Sequence, residues 1–62
     1  MPVSGKDVLK ELLKMGWKLK SVKGSHHKLK KDGVTVIVPA HGNKDLGKGL
    51  LQKIEKETNT KF

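Results

Sequence analysis

The chain has 62 residues, no cysteine and a formal net charge of +8, with fourteen lysines, no arginine and six acidic residues. One domain with a modest core is the most that this length holds. The lack of cysteine excludes disulfides, a thiolate nucleophile and a thiolate zinc site, and it fits a reducing cytoplasm. No apolar run approaches the roughly 20 residues that span a bilayer, and Met1-Pro2-Val3-Ser4-Gly5-Lys6 lacks the pattern of a signal peptide. A soluble cytoplasmic protein without a membrane partner is expected.

Ser4 followed three residues later by Asp7 is a helix-start pair, because each side chain can bond the other's backbone N–H. Val8, Leu9, Leu12, Leu13 and Met15 then recur at helical spacing and make an apolar face, with Lys6, Lys10 and Lys14 elsewhere. Gly16 accepts the left-handed conformation that closes a helix, so the first helix is expected over about residues 5–15.

Trp17, Leu19 and Ser21 alternate with Lys18, Lys20 and Val22, a period of two that predicts a half-buried strand. Trp17, at the helix–strand junction, is expected in the core rather than stacked on a base. Lys23-Gly24-Ser25 reads as a turn, and residues 26–31 as a second, more polar strand. Asp32-Gly33 is a tight hairpin signal. Val34-Thr35-Val36-Ile37-Val38 is β-branched throughout and forms the clearest strand, ended by Pro39.

Residues 40–47, with Gly42, Asn43 and Gly47, read as a loop. Leu46, Leu50, Leu51 and Ile54 return to helical spacing, so a second helix is expected from Gly47 or Lys48 to about Thr58, with a frayed tail at 59–62. The order is helix, strand, strand, strand, helix. Two amphipathic helices can cover one face of a three-stranded antiparallel sheet, giving an α+β two-layer sandwich over residues 1–62 as a single domain. The other sheet face stays open to water, as antiparallel sheets permit.

Charge and imidazole concentrate together. From Gly16 to Lys31 there are six lysines and no carboxylate, the footprint of a protein that meets a polyanion. Within that stretch lies Gly24-Ser25-His26-His27, followed by Lys28, Lys30 and Lys31. Histidine is the side chain suited to proton transfer near neutral pH, and lysine supplies fixed positive charge. The combination points to chemistry on a phosphodiester.

Side chains alternate across a strand. Leu29, the strong apolar residue of the second strand, should face the helices and takes His27 with it. His26, Lys28 and Lys30 then share the open face, joined by Lys18 or Lys20 according to register. A bulge at Ser25 would reverse this assignment. No metal site is expected, since Asp32, Asp45 and His41 lack a ligand spacing, and Gly47-Lys48-Gly49 is not a phosphate-binding loop.

Four pieces of the chain resemble the HicA family of toxins from bacterial and archaeal toxin–antitoxin pairs. They are the helix ending in Gly16-Trp17, the Gly24-Ser25-His26 step, the strand ending Val36-Ile37-Val38-Pro39-Ala40-His41, and Lys44-Asp45-Leu46-Gly47-Lys48-Gly49-Leu50. The resemblance implies a fold like the double-stranded-RNA-binding domain, cleavage of mRNA without a metal or other cofactor, growth arrest, and neutralisation by a HicB-type antitoxin. It places the catalytic histidine on His26, the residue that strand parity also selects. A monomer when free and a larger complex with the antitoxin are the expected assemblies. One departure is Leu50 after Gly49, where relatives often carry Thr; its expected effect is on helix capping.

The candidate site is therefore His26 as general acid or base, with Lys20, Lys23, Ser25, Lys28, Lys30 and His41 as RNA contacts, and His41 or a lysine as the second catalytic group. The competing readings are a module that binds RNA without cutting it and a basic domain that docks an acidic protein. Counterion release separates the RNA readings from the protein one, because RNA affinity falls steeply with salt.

Overall fold

The computed structural model describes residues 3–42 and 44–62. Helix α1 spans Gly5–Lys14, strands β1, β2 and β3 span Lys18–Lys23, His26–Lys31 and Val34–Pro39, and helix α2 spans Lys48–Thr58. The sheet order is β1-β2-β3, antiparallel throughout. This is the expected α-β-β-β-α architecture of the α+β class.

The start of α1 is fixed by a reciprocal cap. Ser4 Oγ accepts from the Asp7 backbone N–H at 3.2 Å, and Asp7 Oδ2 accepts from the Ser4 N–H at 3.4 Å. Gly16, at φ 98°, turns the chain after the helix. The apolar face is narrower than its sequence suggests. Val8 and Leu12 are buried and Leu9 packs beside them, while Leu13 and Met15 are exposed.

The core is Val8, Leu12, Trp17, Leu29, Val36, Val38 and Ile54. Trp17 is buried, as expected at the junction. Leu29 opposes Val36, and His27 opposes Val38, so these four residues share the sheet face under the helices. Both helices pack on β3. That placement overturns one expectation: β1 is not half-buried, and all six of its residues are exposed. Leu19 opposes Leu29 on the helix-side face yet remains 45% exposed, because neither helix reaches out over this edge.

A bulge interrupts the β1–β2 ladder between Leu19 and Ser21. Lys20 is the extra residue, and the pairing resumes with Ser21 opposite Lys28, Val22 opposite His27 and Lys23 opposite His26. The bulge reverses the alternation expected for β1: Ser21 joins the open face and Val22 the helix side. The turn before His26 carries no such irregularity.

One further expectation is corrected. The 59–62 tail is anchored rather than frayed. Asn59, in the left-handed conformation at φ 53°, closes α2; the Thr60 N–H donates to Glu55 O at 3.0 Å, the Phe62 N–H donates to Glu55 Oε2 at 2.9 Å, and Phe62 packs on the core. The N-cap of α2 is Gly47, without a side-chain cap bond, and Leu50 is the third residue of the helix, in the first turn where capping groups sit. The loop of residues 40–47 is tied to α1 by a Leu46 N–H bond to Val3 O at 2.8 Å and a bridge between Ser4 and Asp45. Asn43, one of its sequence markers, lies outside the described residues.

Candidate active site

Both hairpin turns are two residues long. Gly24 has φ 60° and is followed by Ser25 outside the positive-φ set, the arrangement of a type II′ turn with glycine first. Asp32 and Gly33 have φ 49° and 80°, as a type I′ turn requires. These turns match the twist of the flanking strands and set the register without slack. His26 is consequently the first residue of β2, paired with Lys23 on one side and Pro39 on the other.

Paired residues in a ladder project to the same face. The open face therefore carries three rows. Lys23, His26 and Pro39 form the first, Ser21, Lys28 and Ile37 the second, and Lys18, Lys30 and Thr35 the third. His26, Lys28 and Lys30 are all exposed, with His27 and Leu29 turned to the helix side between them. Ser21, Lys23, His26, Lys28 and Ile37 line a shallow depression of about 250 Å³. An imidazole and two ammonium groups thus border one concavity, floored in part by the exposed Ile37.

Ser25 is the junction of three contacts. Its carbonyl accepts from the Ala40 backbone N–H at 2.8 Å and from His27 Nδ1 at 2.9 Å. A carbonyl only accepts, so the His27 proton resides on Nδ1. Its hydroxyl lies 3.0 Å from His41 Nε2, and either atom can donate in that pair. The residue before His26 is therefore held from the β3 end, from within β2 and from the following loop. His27 is half-buried and bonded to backbone, whereas His26 keeps an exposed ring.

His41 is exposed and lines a second depression with Pro39, Lys44, Asp45, Leu46, Gly47 and Leu50. It joins the His26 end of the sheet through Ser25. Lys20, in the bulge, and Lys30 lie toward the other end, so the structure gathers Lys23, Ser25, His26, Lys28 and His41 and leaves Lys20 and Lys30 apart. Ser21 and Ile37 also border the site, although neither is among the expected site residues. The bulge hides Ser21; Ile37 is legible, since it shares parity with the exposed positions of β3. Among the described residues, no three of His, Asp and Glu converge as a ligand set, and no helix is long and apolar enough to cross a membrane.

A family profile described as the HicA toxin of bacterial toxin–antitoxin systems matches residues 5–59. A curated relative, a "Probable mRNA interferase HicA" of Pseudomonas fluorescens (strain Pf0-1), is 37% identical over 46 residues, covering 74% of this chain and 77% of its own. No solved structure matches significantly. With nearly the whole chain matched by the profile, from the start of α1 to the end of α2, the protein belongs to the HicA family of toxins.

Proposed function

We propose that this protein is an endoribonuclease toxin that cuts mRNA in the cytoplasm, with His26 as a proton-transfer group and no metal ion. Residues 1–62 act as one toxin domain, held inactive by a HicB-type antitoxin that covers the His26 face. The observation that carries the reading is an exposed imidazole bordering a depression with Lys23 and Lys28, on an open lysine-bearing sheet face. Family membership and the name of the Pseudomonas relative support it.

RNA brings its own nucleophile, the 2′-hydroxyl. In the proposed step its oxygen attacks the adjacent phosphorus while a base removes its proton, and the bond from phosphorus to the 5′-oxygen breaks as an acid protonates the departing oxygen. The products are a 2′,3′-cyclic phosphate and a free 5′-hydroxyl. His26 performs one of these transfers. Lys23 and Lys28 stabilise the charge that builds on the non-bridging oxygens, an electrostatic role that requires donors fixed in advance. His41, tethered through Ser25, is the second candidate for proton transfer.

Inducible expression of the wild type beside His26→Ala tests the proposal in cells. Wild type should arrest growth and degrade mRNA, while the variant accumulates as a folded protein and does neither. Arrest and RNA decay by the variant would remove His26 from the mechanism.

A further inference from the structure

A concavity larger than the one beside His26 is present elsewhere on the molecule. It lies at the opposite end of the sheet, a depression of about 390 Å³ where Lys18, Lys20, Lys30 and Lys31 meet, with Asp32 the one carboxylate at its rim. Lys18 and Lys30 oppose each other on the open face. Lys20 is brought in by the bulge, and Lys31 comes from the helix-side face at the end of β2.

Lys31 is not a loose surface chain. Its Nζ donates to Met15 O at 2.7 Å, with the lysine stem lying alongside Gly16. An ammonium has three donors, so this bond holds the group in place and leaves donors for a ligand. The bond also offsets the negative end of α1, which would otherwise repel an anion. Four positive groups against one carboxylate, one of them anchored, make a cup for an oxyanion.

The cup is in line with the candidate active site. Lys30 and His26 are on the same face of β2, four residues apart, a separation of about 13 Å at the usual ~3.3 Å rise per residue. Lys28 stands between them. That distance exceeds what one sugar–phosphate unit reaches, so a phosphate in the cup belongs to a nucleotide beyond those flanking the bond at His26.

We propose that Lys18, Lys20, Lys30 and Lys31 form a second phosphate-binding subsite, through which the toxin selects longer RNA over short fragments. The inference rests on the ribonuclease reading for its register but concerns binding, so the two are tested separately. The probes are 2′-O-methyl oligonucleotides, which lack the nucleophile, as a dinucleotide and a hexanucleotide of uridine. Their binding to the full chain is measured by fluorescence anisotropy across a salt series, beside a Lys18→Gln/Lys31→Gln variant whose thermal unfolding is recorded. Glutamine at 31 keeps a donor for Met15 O.

The hexanucleotide should bind wild type at least tenfold tighter than the dinucleotide. In the variant that preference should collapse, and the slope of log affinity against log salt should fall by about 0.7 for each phosphate that is no longer neutralised. Equal affinity for the two lengths, or an unchanged preference and slope in a folded variant, overturns the subsite. A polyglutamate peptide binding in place of either oligonucleotide also overturns it, in favour of an acidic protein partner. Cleavage of the unmodified hexanucleotide is scored in parallel. Cleavage without length-dependent binding removes the subsite alone, and length-dependent binding without cleavage removes the ribonuclease reading alone.

Discussion

The two adjacent histidines have different surroundings because consecutive residues of a strand face opposite ways. His27 donates to Ser25 O and sits half-buried beside Val38, so its contribution is to hold the turn that delivers His26. His27→Ala should destabilise the protein by about 1 kcal/mol, the usual net worth of one hydrogen bond, read by urea unfolding. It should lower RNA cleavage only in part, and His27→Asn, which restores a donor, should recover some of both. If His27→Ala abolished cleavage in a folded protein, the division of labour between the two histidines would be wrong. Ser25→Ala removes the partner of His41 Nε2 while leaving both backbone bonds to Ser25 O. Because that pair is exposed, the stability change should stay below about 1 kcal/mol, and any larger loss of cleavage would report on His41.

At the scale of elements, the open face was legible in the sequence and the edge strand was not. Leu29 alone among lysines and histidines fixed the facing of β2, and two glycine-containing turns fixed its register. The alternation in β1 pointed to half-burial, but burial depends on where the helices lie, and they lie over β3. The bulge at Lys20 left no mark that a period-two pattern could reveal, because it exchanged a serine for a valine rather than a charge for a core residue. The tail was missed for a similar reason: Phe62 is one apolar residue without periodicity, and only the folded chain shows what it covers. Gly5 was also silent in the sequence. A Cβ there would run into Pro39 O and lie 2.7 Å from Ala40 Cα, where β3 passes the start of α1. Gly5→Ala should therefore cost about 1–3 kcal/mol despite the helix propensity of alanine, as overpacking against backbone does. A thermal melt above that of wild type would contradict the close approach. Ser4→Ala, which breaks the reciprocal cap, should cost about 1 kcal/mol.

For the whole molecule, the two faces of the sheet separate the apolar core from the lysine-bearing surface. Among the described residues seven buried apolar side chains form the core, all on the helix side, so Leu29→Ala should cost about 2–5 kcal/mol and leave little folded protein. Charge changes on the open face, such as Lys28→Gln, should scarcely move the melting temperature and should weaken RNA binding and its salt dependence. The fold class and the facing of His26 followed from hydrophobic period and turn chemistry. The tether between Ser25 and His41 did not, since residues 16 apart in the chain meet only through the β2–β3 pairing.

In the proposed reaction His26 moves a proton during RNA cleavage by the 2′-hydroxyl, without a metal ion. Its most direct measurement is cleavage of a defined RNA by purified protein in excess EDTA, with the new 3′ ends identified by mass. Wild type should yield 2′,3′-cyclic phosphate ends, and folded His26→Ala should lose about a hundredfold or more in rate, the usual scale for a proton-transfer group. Cleavage that EDTA abolishes, 5′-phosphate products, or a His26→Ala variant that cuts at the wild-type rate would contradict the account.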